Sequence, residues 1–238
     1  MSRLAPLPTL ARVPLAAALV AALVLGRAAP AAADDHTADV QLWSPTTIVR
    51  TVSEKWFVQA ETQVRLTENL GKVANSFLRP AVGIRLGGHA TLHLGYAWVP
   101  YFSPRKDEQR IWEQVSWSVP AGRWTLAPRL RLEQRWLPGA ASTTWRLRGQ
   151  FRASHALTRS GGWRVTMADE VLMFLNDTAS GPAAGFGANR VHVGFTRRVN
   201  HHLTVEPGYV LQYSRSVAGG RTTTGVVHAL LVSTNIAF

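Results

Sequence analysis

From residue 56 the chain alternates apolar and polar side chains with a period of two. Residues 56–67 read W-F-V-Q-A-E-T-Q-V-R-L-T. One set is Trp56, Val58, Ala60, Thr62, Val64 and Leu66; the other is Phe57, Gln59, Glu61, Gln63, Arg65 and Thr67. Residues 124–136 repeat the pattern more sharply, with Trp124, Leu126, Pro128, Leu130, Leu132, Gln134 and Trp136 set against Thr125, Ala127, Arg129, Arg131, Glu133 and Arg135. A helix scatters such sets around its cylinder, whereas a strand separates them into two clean faces.

The same alternation predicts strands near 39–52, 56–68, 76–86, 90–102, 110–119, 124–137, 144–157, 163–176, 189–199, 203–215 and 226–238. Many reach the about 9–11 residues that a tilted strand needs to cross a bilayer, and exceed the about 5–6 of ordinary globular strands. The connections alternate in length. Those at 53–55, 87–89, 121–123, 158–162 and 200–202 are tight; those near 69–75, 103–109, 138–143, 177–188 and 216–225 are longer and carry Gly, Pro, Ser and Asp. Short turns at one end and longer loops at the other fit an all-β, antiparallel transmembrane β-barrel, with short periplasmic turns and longer outer loops. The expected count is ten to twelve, either twelve or an eleven-segment variant. Closed bacterial barrels usually have an even number, and Pro45 makes 39–52 the segment least suited to join the wall.

Before the strands comes a secretory signal pattern. Arg3 and Arg12 precede the apolar run from Val13 to Leu25, and Ala31-Ala32-Ala33 supplies a small-residue cleavage site. Residues 1–33 are therefore expected to be removed, leaving 34–238 as one barrel domain. The chain has 26 Lys plus Arg against 14 Asp plus Glu, and losing Arg3, Arg12 and Arg27 lowers its charge from +12 to +9. An exported basic chain is expected to meet outer-membrane lipids, lipopolysaccharide, the barrel-assembly machinery and small anions rather than nucleic acid. With no cysteine, disulfides, thiolate metal sites and cysteine nucleophiles are excluded. No cofactor or metal site is expected. The predicted location is the outer membrane of a Gram-negative bacterium.

Aromatic residues mark the strand ends. Trp56, Trp124 and Trp163 each begin a strand after a tight turn, while Trp98, Trp136, Trp145, Tyr101, Phe102 and Tyr213 lie toward the long-loop end. Two such rows are expected at the head-group levels of a membrane barrel.

Short pieces in order carry a resemblance: Asp39-Val-Gln-Leu-Trp43, Leu78-Arg-Pro80, Leu94-Gly-Tyr-Ala-Trp98, Gln109-Arg-Ile-Trp-Glu-Gln114, Arg131-Leu-Glu-Gln-Arg135, Arg146-Leu-Arg148, Glu170, Asn189-Arg190 and Gly208-Tyr209. Together they resemble the bacterial outer-membrane barrels known as domain of unknown function 2490, over about 39–238. The resemblance implies a barrel and no activity. The terminal Phe238 on an alternating last strand likewise resembles the sorting signal of bacterial outer-membrane barrels.

A lipid-facing Arg at mid-bilayer costs roughly 2–4 kcal/mol, so the alternating arginines are expected inside. That places Arg65, Arg79 and Arg85 in the lumen, with Arg129, Arg131, Arg135, Arg146, Arg148 and Arg152 on one hairpin, and Arg190 and Arg198 beyond. The expected counter-charges are Glu61, Glu133, Glu170 and Glu206. One reading is a structural plug of Arg–Glu networks; the other is a narrow, anion-preferring channel. A third is a closed barrel that binds a partner through its outer loops. A lipid- or lipopolysaccharide-directed hydrolase would need a Ser and a His brought together at the outer rim. Ser154 and His155 are adjacent and so point to opposite faces, His201-His202 sit in a turn, and no catalytic motif is present. Glu113 and Asp169 fall on the apolar parity, which implies a bulge or an interfacial position.

Overall fold

The structure, a computed structural model, describes residues 37–102, 104–178, 181–218 and 221–238. The expected signal segment 1–33 lies outside these residues. In chain order the strands are β1 (Thr37–Thr51), β2 (Trp56–Thr67), β3 (Lys72–Gly87), β4 (Ala90–Phe102), β5 (Arg105–Trp117), β6 (Val119–Ala121), β7 (Trp124–Leu126), β8 (Arg129–Trp136), β9 (Thr144–Ala156), β10 (Trp163–Phe174), β11 (Gly185–Arg198), β12 (Leu203–Ala218) and β13 (Arg221–Ala237).

Each strand pairs with its neighbours around a closed ring. β6 prolongs β5, and β7 prolongs β8 across a break at Ala127–Pro128, where proline brings no N–H to the ladder. The wall therefore has eleven staves. An up-and-down chain with an odd number of staves has its first and last strands running the same way, so the ring can close only in parallel. β1 pairs with β13 in that sense, from Thr37 opposite Gly225 to Val49 opposite Ala237, with Ser44 and Pro45 skipped. The segment marked as least suited to the wall is thus the closing stave, and Pro45 interrupts its pairing without expelling it.

Three of the five connections expected to be long are short: β2 ends at residue 67 and β3 begins at 72, β4 ends at 102 and β5 begins at 105, and β12 ends at 218 and β13 begins at 221. Polar residues on both faces made these strand extensions read as loops. Only the connections 137–143 and 175–184 are of loop length.

The outward face is an apolar belt. Val58, Leu78, Val82, Leu94, Leu130, Val193 and Leu230 are all exposed there. Trp56 and Trp163 mark the short-turn rim with Trp124, half-buried against His155; Trp98, Trp136, Trp145 and Tyr213 lie toward the other end and point outward. Tyr101 instead points inward. Glu113 and Asp169 do face out, and the pairing around both is regular. Each carboxylate takes a hydrogen bond from an amide one stave away: Gln134 Nε2 to Glu113 at 3.1 Å, and Asn189 Nδ2 to Asp169.

The inward face is packed. Gly83 faces Phe57 across the ladder and Gly95 faces Trp112. A Cβ on either glycine would lie 2.1 or 2.3 Å from ring atoms, so the missing side chain is what lets each ring lie against the wall. Phe77, Ala81, Ala97, Val99 and Trp112 form one apolar cluster, and Trp43, Val210 and Ala229 a second.

Candidate functional site: an arginine-lined lumen

Between these apolar clusters the inward positions are charged. On β8 and β9, Arg131 stands directly opposite Arg148, and on β5 and β8 Arg110 stands opposite Arg135. Like charges so placed repel; buried glutamates set between them offset this.

Glu133, 1% exposed, accepts from Arg146 Nε at 2.9 Å and Arg148 Nη1 at 2.9 Å, with Arg131 Nη1 at 3.8 Å and Arg110 Nη1 at 3.9 Å. Glu170 accepts from Arg148 Nη2 at 2.7 Å, Arg129 Nη2 at 2.7 Å and Arg190 Nη1 at 3.0 Å. Toward the long-loop end, Glu108 is 0% exposed and accepts from Arg110 Nε at 2.7 Å, Arg135 Nε at 2.6 Å and Tyr101 OH at 3.1 Å. Toward the short-turn end, Glu206 accepts from Arg152 and from Thr196, which continues through Thr166 to Ser154 in 2.9 Å steps. Glu61 pairs with Arg79. Charge-assisted bonds of this kind are the strong ones, and removing one partner leaves a buried charge uncompensated.

The carboxylates do not match the arginines. Arg65, Arg79, Arg110, Arg129, Arg131, Arg135, Arg146, Arg148, Arg152 and Arg190 all line one lumen cavity. The glutamates facing them are Glu61, Glu108, Glu133, Glu170 and Glu206, half as many among the described residues. Ring faces hold part of the surplus. Arg131 lies 4.1 Å from the Trp112 ring centre, Arg79 4.2 Å from that of Phe77, and Arg65 4.0 Å from that of Trp43. Such cation–π contacts stabilise a guanidinium without cancelling its charge.

The cavity has a volume of about 570 Å³, and a second of about 420 Å³ lies toward the long-loop end, bounded by Pro182, Ser216 and Thr223. Arg135, Arg146 and Arg190 line both. These three side chains, anchored on Glu108, Glu133 and Glu170, stand between the two spaces.

Of the expected lumen residues, nine arginines and all four glutamates face this interior. Arg85 and Arg198 do not join the network. Both keep the inward parity but lie exposed at the short-turn rim, beyond the enclosed part of the barrel. Arg85 donates there to Ser53 O and Glu54 O, both at 3.2 Å, and so ties down the first turn. Glu108 was missed because 103–109 read as a loop, and Arg110, the first residue of the expected strand 110–119, was not carried onto the lumen face; the spacing Glu108, Arg110, Trp112, Gln114 on one parity was the available signal. Trp43 and Trp112 were missed as inward platforms for the arginines.

Histidines find other partners. His93 Nε2 lies 3.0 Å from Thr91 Oγ1 inside the lumen, and His228 Nδ1 lies 2.6 Å from Tyr209 OH on the outer wall. Ser154 points inward to Thr166 while His155 packs outward on Trp124. Among the described residues no Ser hydroxyl meets a His, and no three His, Asp or Glu side chains gather as a metal site.

Residues 40–223 match a family described as Protein of unknown function (DUF2490). An uncharacterised protein of Methylorubrum extorquens is 31% identical over 209 residues, covering 85% of this chain and 90% of that one. A solved structure of a bacterial polysaccharide outer membrane secretin aligns with a TM-score of 0.45 at 13% identity, over 73% of this chain; the chain spans 62% of that protein.

Proposed function

We propose, for a chain that belongs to this family of proteins of unknown function, that it is an outer-membrane barrel whose lumen is a narrow, anion-preferring passage. The observation that carries this reading is the surplus of guanidinium over carboxylate along one continuous cavity wall. Fixed arginine charge lowers the cost of drawing an anion out of bulk water, and the interspersed glutamates keep the attraction weak enough for release. The apolar belt between aromatic rows supports a bilayer position. Outer-membrane lipid and lipopolysaccharide would surround the wall, and the role is non-enzymatic.

Arg135, Arg146 and Arg190 favour a second reading. Locked on their glutamates between the two cavities, they make a closed plug. Flux decides between the two. Vesicles loaded with potassium chloride, bearing the folded protein and suspended in sodium nitrate, are expected to exchange chloride for nitrate faster than protein-free vesicles, with potassium retained. Vesicles that stay sealed to both ions would leave the plug.

A further inference from the structure

Arg65 differs from the other lumen arginines. Among the described residues its side chain makes no hydrogen bond and no ion pair; its guanidinium carbon lies 4.0 Å from the ring centre of Trp43 and 4.7 Å from that of Phe77. Its Nε is buried without an acceptor. Its neighbours on the same two rings are cations as well: Arg190 lies 5.2 Å from the Trp43 ring centre, and Arg79 and Arg110 lie 4.2 and 5.6 Å from that of Phe77. Asn75, its cross-strand neighbour, leaves Oδ1 buried without a donor. Arg65, Asn75 and these arginines share the wall of the about 570 Å³ cavity, which falls within the roughly 300–1,000 Å³ of small-molecule sites.

A guanidinium with no carboxylate partner and a buried Nε destabilises a fold, and here two rings hold it in one orientation. We infer that Arg65 is the centre of a seat for a multivalent oxyanion of the phosphate type. The inference rests on the anion-preferring reading and goes further: anions bind at one place, with saturation. The rings fix the plane of the guanidinium, whose fork matches two oxygens of a phosphate. Asn75 Oδ1 accepts the hydroxyl of a monohydrogen phosphate. A monovalent ion would leave this cluster strongly positive, so charge selects a multivalent one. The phosphate group would belong to a soluble solute or to a lipid head group reaching in from the rim.

The test is calorimetric titration of the folded, full-length mature chain with sodium pyrophosphate at constant ionic strength, beside thermal unfolding in the same buffers. Saturable binding of one pyrophosphate and a raised unfolding midpoint are expected. Arg65→Met is expected to weaken binding by about tenfold or more, the loss of a charge-assisted contact. Without pyrophosphate its midpoint should equal or exceed that of the parent, because a cation without a carboxylate partner, facing other cations, has gone. Arg85→Gln, at the rim, should bind as the parent does. If Arg65→Met does not fold, Arg65→Lys serves, keeping the charge but losing the planar fork, and should still bind more weakly. Binding in both detergent and phosphatidic acid vesicles would assign the seat to soluble phosphates; binding in detergent, blocked in those vesicles by the lipid's phosphomonoester, would assign it to lipid phosphate. An Arg65→Met protein that is less stable yet binds pyrophosphate unchanged would overturn the seat. So would a parent that conducts anions but binds no pyrophosphate, which leaves the passage standing. A parent that does neither removes both readings.

Discussion

Glu108 has no exposed surface and three donors, Arg110, Arg135 and Tyr101. Replacing it by Gln keeps its shape and removes the charge that two buried guanidiniums share. Glu108→Gln is therefore expected to destabilise the barrel by about 3–5 kcal/mol, the usual cost of breaking a buried pair from one side. Heat-modifiability on gels or denaturant unfolding from micelles would measure it; a midpoint unchanged from the parent would contradict this assignment. Glu113 is the opposite case. It sits on the outward face between Ile111 and Val115, halfway along β5 from Gln109, which is level with Trp98 and Trp136, to the outward Trp117. Its one polar partner is Gln134. Glu113→Leu extends the apolar belt and is expected to leave stability unchanged or raise it by about 1 kcal/mol, acids on this face being less costly than Arg or Lys. A fall of more than about 1 kcal/mol in the same unfolding measurement would show that the carboxylate contributes to folding.

The closing seam is where element-level physics is most exposed. All eleven staves were legible from alternation, because a period of two reports which face a residue takes. Alternation does not report which strand is the neighbour, so the parallel closure of β1 on β13 was not legible, and Pro45 counted against a strand that only skips two pairings. Charge at the strand ends had a similar effect: Arg105 to Gln109 is strand in the structure, and reading it as loop hid Glu108. The chain has no cysteine, which makes the seam directly testable. Thr46 and Thr234 are register partners across it. The Thr46→Cys, Thr234→Cys protein is expected to form an intramolecular disulfide in the folded state, seen as a mobility shift reversed by reductant. An unpaired first segment would give free thiols. Gly95 tests the wall beside it. Gly95→Val sets a branched side chain where Trp112 lies, and should cost about 1–3 kcal/mol or block folding, whereas Gly149→Ala, whose Cβ would meet only a Leu130 methyl at 4.0 Å, should leave the barrel assembled.

At the scale of the whole molecule, ten arginines on one cavity wall give the lumen its sign, and rings and glutamates together let that charge stay buried. The sequence parity placed most of these side chains inside. It gave no information on which were paired, since pairing depends on the diagonal neighbours that register creates. Whether the Arg135, Arg146 and Arg190 lattice passes ions is a property of the assembled barrel alone. Single-channel recording of the refolded protein in a planar bilayer, under a salt gradient, decides between passage and plug. Current steps are expected whose reversal potential shows anion preference, weakened in the Arg65→Glu, Arg131→Gln protein while the steps persist. Cation-preferring steps, or a preference untouched by those substitutions, would contradict it, and a silent bilayer holding demonstrably folded protein would leave the lumen a plug.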